Sequence, residues 1–198
     1  MEKQFPIVCI GGSAGGLETY IKILKLIPSN LGITIVIVNH ITIQTTILHE
    51  ILRPHTPMPV SMITHSLRIR PNHVFVVPND CDLTISNGHF RLRPRSKPSG
   101  WSNVITLFLY SLARFWDGLL IVVIVSGLDG DGAEALGEIK KAGGIVMVQT
   151  PDSAGWSDMP ESAIRTGTAD YILPVESIAI TIIKIVSERM NNAPPHVT

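Results

Sequence analysis

The stretch Ile7-Val8-Cys9-Ile10-Gly11-Gly12-Ser13-Ala14-Gly15-Gly16-Leu17 reads as a buried strand, a glycine-rich turn and the start of a helix. Leu17, Tyr20, Ile21, Leu24 and Ile27 then recur at helical spacing until Pro28 closes the element. Thr34 to Val38 is a second strand, apolar without interruption as parallel strands buried on both faces are. The alternation continues with a helix from about Thr45 to Leu52, a helix over Ile105 to Ala113, a strand over Leu119 to Val125 and a helix over Ala133 to Ala142. A strand at Ile145 to Gln149, a short helix over Pro160 to Thr166, an edge strand at Tyr171 to Leu173 and an amphipathic helix over Glu176 to Arg189 complete it. Strands alternating with helical patterns predict an α/β fold: a doubly wound, mainly parallel sheet with helices on both faces. The middle segment, Pro54 to Pro98, departs from this rhythm: proline-rich at first and then alternating, with Val74-Phe75-Val76-Val77 among its runs, it is expected to be an antiparallel insertion at one sheet edge. Asp82 to Ser86 and His89 to Arg93 flank Asn87-Gly88, the strongest short hairpin signal, and predict an antiparallel hairpin at one edge of the sheet.

Composition narrows the function classes. The 198 residues carry 16 Lys+Arg against 16 Asp+Glu and are 45% hydrophobic. A disordered chain, or a nucleic-acid binder relying on phosphate contacts, would show low hydrophobicity or a basic excess, so neither is expected. The apolar runs fall well short of the roughly 18 residues that cross a bilayer, so no membrane insertion is expected. Met1 to Pro6 leads into no signal-peptide pattern, and Cys9 and Cys81 are too few for a disulfide framework; the reading is a cytoplasmic protein with free thiols.

In wound sheets ligands bind beyond the carboxyl ends of the strands. Three polar segments leave such ends: the turn at Gly11 to Gly16, Asn39-His40, and Ser126-Gly127-Leu128-Asp129-Gly130-Asp131-Gly132. The glycine turn lacks the second glycine of a dinucleotide loop, and the second strand ends in Asn39 and His40 where an acidic residue is expected. The turn also fits G-x-S-x-G, the nucleophile elbow, though no upstream strand loop is present to supply an oxyanion hole in the usual place. From the loop alone, a serine nucleophile and an anion cradle stand about equal. Asp129-Gly130-Asp131 resembles part of a calcium loop without its later ligands, and Asp131-Gly132 fits a cap for the helix that follows. A serine, a histidine and an aspartate at converging strand ends are the ingredients of nucleophilic acyl transfer.

Five segments in order resemble the catalytic domain of the CheB chemotaxis methylesterases. They are Ile10 to Leu17, His40, Pro71-Asn72-His73-Val74-Phe75-Val76-Val77-Pro78, Ser126 to Gly132 and Met159-Pro160-Glu161-Ser162-Ala163-Ile164. The resemblance implies a catalytic domain over 4–190; the tail over 191–198, with two prolines and no periodicity, is expected to fray, and the length is expected to leave no room for the phosphorylatable receiver domain that often precedes such a domain. It implies hydrolysis of glutamate methyl esters, and in many members deamidation of glutamines, on the cytoplasmic helices of methyl-accepting chemoreceptors. Those helices are the expected partners, with other chemotaxis signalling domains beside them. The implied triad is Ser13 as nucleophile, His40 as base and Asp131 as orienting carboxylate. Backbone N–H groups at Ala14 and Leu128 are the expected oxyanion donors. Gly15, Gly16 and Met159 are the expected substrate contacts, and no metal or organic cofactor is implied. The alternatives are a catalytically degenerate binding module of this type, or a serine esterase acting on a small ester.

The chain departs from the family pattern around the expected crevice. Asp129 replaces a glycine, Val104 and Thr106 stand where a proline and an aspartate are usual, and Asp158 and Glu161 flank Met159-Pro160 in place of glycine and arginine. Arg91, Arg93, Arg95 and Lys97 at the end of the hairpin form a basic stripe suited either to docking or to protecting an edge strand.

Overall fold

The computed structural model describes residues 5–39, 47–96 and 103–191. Seven strands form one parallel sheet: β1 (Ile7–Gly12), β2 (Thr34–Asn39), β3 (Val60–Met62), β4 (His73–Val76), β7 (Leu120–Ile124), β8 (Ile145–Gln149) and β9 (Tyr171–Leu173). Their order is β3-β4-β2-β1-β7-β8-β9. The predicted hairpin, β5 (Cys81–Ser86) and β6 (His89–Pro94), forms its own two-stranded antiparallel sheet. Asn87 and Gly88 take φ of 50° and 71°, the paired left-handed residues of a tight hairpin turn.

Side-chain alternation along each central strand feeds two cores. Ile7, Cys9, Val36, Val38, Val122 and Ile124 face one side, and Val8, Ile10, Ile35, Ile37, Ile121 and Val123 the other. The first face is covered by α3 (Val104–Phe115), α4 (Leu136–Lys141), α5 (Asp158–Arg165) and the hairpin. The second is covered by α1 (Gly16–Leu26), α2 (Leu48–Leu52) and α6 (Val175–Asn191). The doubly wound reading therefore holds. The hairpin is fastened to α3 rather than extending the sheet: Ile85 N–H donates to Ser111 Oγ at 2.8 Å, and Phe90 meets Phe75 edge-on at 4.9 Å between ring centres.

Three local features were not read from the sequence. β4, expected within an antiparallel middle segment, pairs parallel with β2 and β3 instead. β3 is three residues long and follows a proline-rich segment whose composition reads as loop. The helix expected over Ala133 to Ala142 divides into a 3₁₀ turn at Ala133–Ala135 and α4. The start of the helix expected near Thr45, and the tail beyond Asn191, lie outside the described residues. Among the described residues, no helix is long and apolar enough to cross a membrane.

The chain leaves β1 toward β2 on one side and later returns to lay β7 on the other. β1 and β7 are therefore the pair at which the winding reverses, the place where wound sheets open a crevice beyond the strand ends.

Candidate active site

Ser13 and the 126–132 loop leave the sheet side by side at this reversal point. Ser13 N–H donates to Ser126 O at 2.9 Å, continuing the β1–β7 ladder one step past the strands. Ser13 is buried but retains 8 % exposure, and Gly16 N–H donates to Ser13 O at 3.1 Å, so residues 13–16 form one tight turn into α1. Gly15 caps that helix at φ 75°, a left-handed conformation that costs a side-chain-bearing residue about 1–2 kcal/mol.

Ile105 shows how closely the two loops converge. A Cβ placed on Gly11 would lie 2.8 Å from Ile105 Cγ2, and one placed on Gly132 would lie 2.7 Å from the same atom. The first turn of α3 thus wedges between the serine turn and the aspartate loop, and only glycine on either side admits it.

Asp131 does not cap the helix that follows it, as its position in the chain suggests. Its carboxylate caps α3 instead: Oδ2 accepts from Ile105 N–H and Oδ1 from Thr106 N–H, both at 2.9 Å. Thr106 Oγ1 returns the bond by accepting from Gly132 N–H at 2.8 Å. Burial raises the Asp131 pKa above the usual carboxylate range; the two backbone N–H groups and the Thr106 side chain act against that rise, and the charge of Asp129 adds to it. Burial, and then the charge of Asp131, also push up the pKa of the Cys9 thiol on β1, which keeps it protonated and inert.

Asp129 does not need the positive φ that a glycine at its position would suggest, since the described non-glycine residues with positive φ are Ser66, Asn72, Asp80 and Asn87. Its Oδ1 accepts from Asp131 N–H at 3.0 Å, a short-range turn that fixes the approach to Asp131. Two of the other departures, Glu161 and Thr106, also make local contacts. Glu161 Oε1 accepts from Ser157 Oγ at 2.8 Å at the start of α5, and Thr106 closes the clamp on Gly132.

Ser126 and Gln149 tie the strand ends together, and neither was singled out from the sequence. Ser126 Oγ donates to Ala14 O at 2.7 Å and accepts from Trp156 N–H at 2.9 Å. Gln149 Oε1 accepts from Ser126 N–H at 3.1 Å, and its Nε2 donates to Ser153 O at 2.8 Å. Their common signal is a polar residue directly after, or at the last place of, an apolar strand.

The expected substrate contacts separate. Gly15 is exposed on the turn. Gly16 is buried, and a Cβ there would lie 2.7 Å from Tyr20 Oη, so its lack of a side chain makes room for Tyr20 rather than for a substrate. Met159 is fully buried, with Cε 2.7 Å from where a Gly127 Cβ would stand. It supports the loop from beneath and does not face the crevice. Ala14 and Leu128 lie on the two loops as expected, Leu128 with its side chain exposed. His40 lies outside the described residues, as does Lys97. Asn39, which directly precedes His40 in the chain, pairs with Gly12 across the β1–β2 ladder and accepts from Tyr20 Oη at 3.0 Å. Among the described residues, no group of three or more His, Cys, Asp or Glu could hold a metal ion.

Comparison with known proteins places the fold in a family. A family model described as CheB methylesterase matches residues 8–182. A protein-glutamate methylesterase/protein-glutamine glutaminase of Rhizobium meliloti is 33% identical over 193 residues, covering 92% of this chain and 52% of the relative. One from Syntrophus aciditrophicus is 31% identical over 186 residues, covering 92% and 53%. The chain thus spans about half the length of these two relatives, whereas a Leptospira interrogans relative, 32% identical over 189 residues, is matched over 95% of its length. The crystal structure of the Thermotoga maritima CheB methylesterase catalytic domain superposes with a TM-score of 0.84 at 28% identity, over 92% of this chain and 99% of that one. Matched over nearly its whole wound sheet, this chain belongs to the CheB methylesterase family.

Proposed function

We propose that the protein is a serine hydrolase that demethylates glutamate γ-methyl esters, and deamidates glutamines, on chemoreceptor cytoplasmic helices, working through Ser13, His40 and Asp131. The observation that carries the proposal is the junction of the Ser13 turn and the Asp131 loop at the β1–β7 reversal point, bridged by Ser13 N–H to Ser126 O. The names of the relatives supply the ester and amide classes.

In this mechanism His40 accepts the Ser13 hydroxyl proton as Oγ attacks the ester carbonyl. A tetrahedral intermediate forms, with Ala14 and Leu128 N–H as the oxyanion donors. Its collapse returns the proton to departing methanol and leaves an acyl-enzyme, which water then hydrolyses by the same proton path. Asp131 stabilises the imidazolium while both of its oxygens hold the α3 backbone; each carboxylate oxygen has a second lone pair, so the two duties are compatible. Such receptor helices lie in the cytoplasm, and that is the compartment the mechanism requires.

The test is methanol release from a methylated chemoreceptor cytoplasmic fragment. Ser13→Ala, His40→Ala and Asp131→Asn are each expected to lower kcat by about 10³-fold or more, because triad members act as a unit. A wild-type rate in Ser13→Ala would end the proposal.

A further inference from the structure

We infer that Trp156 is a specificity-determining residue, selecting esters that carry a large apolar side chain one helical turn away. The inference rests on the proposed hydrolysis of esters on helices.

The backbone of Trp156 is locked into the candidate site from two sides: its N–H donates to Ser126 Oγ at 2.9 Å, and its carbonyl accepts from Gly127 N–H at 3.1 Å. The indole is 49 % exposed, and its Cδ1 lies 3.3 Å from the point a Gly15 Cβ would occupy, so the ring stands against the exposed glycine of the serine turn. Two more large apolar side chains are exposed on the segments that leave β1 and β7. Leu128 follows Gly127 and is 49 % exposed; Leu17, 39 % exposed, lines a groove with Gly15, Ser153 and Gly155. Isolated exposed apolar residues need no explanation, but Trp156 and Leu128 on two loops and Leu17 on the first turn of α1 are all exposed on segments that adjoin the serine turn, and together they form its apolar rim.

Spacing identifies what the rim receives. Residues 13–16 are a single turn, so the backbone beside the indole lies within about 7 Å of the Ser13 backbone. A substrate helix rises about 5.4 Å per turn, and residues three or four apart share a face. With a glutamyl ester at Ser13, the side chain one turn along the substrate meets the Trp156 ring. A leucine-sized residue there buries apolar area against the indole, whereas alanine leaves the ring in water.

Helical peptides bearing one γ-methyl glutamate, with Leu or Ala at both i−4 and i+4, are the probes, and methanol release is the readout. Wild type is expected to prefer the Leu peptide by about thirtyfold in kcat/KM, mainly through KM, since an aromatic anchor at an interface is worth that much. Trp156→Ala should lose most of this preference, and Trp156→Phe should retain most of it. Equal cleavage of both peptides by wild type, or an undiminished preference in a folded Trp156→Ala protein, overturns the inference and leaves the esterase reading standing. The wild-type comparison needs no variant, so a folding failure of Trp156→Ala does not blunt the test. Cleavage of neither peptide overturns the esterase reading and this one with it. A change in sedimentation between wild type and Trp156→Ala would assign the rim to contact between copies of the chain and also refute the inference.

Discussion

Removing the Ser126 hydroxyl isolates what the staple between the strand ends contributes. Ser126 is fully buried, and its Oγ satisfies two backbone groups at once, the Ala14 carbonyl and the Trp156 N–H. Ser126→Ala leaves both without that partner. A buried polar group deprived of its bond costs about 1–3 kcal/mol; because both bonds are only part-buried, the lower end of that range, about 1–1.5 kcal/mol, applies to each, giving about 2–3 kcal/mol in total. For a domain of this size that lowers Tm by about 5–10 °C and moves the urea midpoint by about 1 M. The bond from Ser13 N–H to the Ser126 carbonyl survives the change, so the sheet itself should be unaltered. A double-mutant cycle sharpens the test. A Cβ on Gly15 would lie 2.6 Å from Ser126 Oγ, so Gly15→Ala carries both a severe clash and left-handed strain in wild type, but once that oxygen is gone it keeps only the strain and the milder 3.3 Å approach to Trp156 Cδ1. Gly15→Ala should therefore cost at least about 1 kcal/mol less in the Ser126→Ala background. Urea unfolding followed by circular dichroism measures all four proteins. A loss under about 0.5 kcal/mol for Ser126→Ala, or additivity within about 0.5 kcal/mol across the cycle, would refute the reasoning.

Two further predictions concern other parts of the molecule. Gly88 has φ 71° and nothing within 4 Å of its Cβ position, so Gly88→Ala should cost about 1–2 kcal/mol from backbone strain alone, read as lower equilibrium stability and faster amide exchange in β5 and β6. Asp129→Asn keeps the oxygen that accepts from Asp131 N–H but removes a like charge that raises the Asp131 pKa. Asp131 must be ionised to stabilise an imidazolium, and a carboxylate with a raised pKa is lost earlier as pH falls. The acid limb of kcat/KM, where Asp131 governs it, should therefore move to lower pH in Asp129→Asn. The same linkage gives the stability sign: Asp131 favours the folded state most at low pH and loses that contribution as pH rises through its raised folded-state pKa. Relief by Asp129→Asn should thus appear as a stability gain near neutrality and little change in acid, measured by thermal melts across pH.

The fold was legible wherever one periodicity ran long enough to be unambiguous. Unbroken apolar strands such as Thr34 to Val38 revealed a sheet buried on both faces, and the Asn87-Gly88 turn located the hairpin. β3 was illegible because three residues after prolines carry no period. In the candidate site, the meeting of the Ser13 turn and the Asp131 loop was readable, since each follows an apolar strand. What Asp131 holds was not: its partners lie 25 and 26 residues earlier, and a local reading assigns it to the next helix instead. The burial of Met159 and Gly16 was not legible for the same reason. Their neighbours, Gly127 and Tyr20, are fixed by tertiary packing, and nothing in the local pattern separates a side chain that lines a crevice from one that props it up.

The grip of Asp131 on the start of α3 bears on how relatives of this chain should be read. A carboxylate that anchors a helix is under pressure to persist whether or not any ester is ever cleaved. A descendant that had given up turnover and kept only its shape would still be penalised for losing this aspartate, and would carry it unchanged. Finding it in a sequence therefore testifies to an intact fold, and the burden of diagnosing a living enzyme passes to the serine turn and the histidine after the second strand.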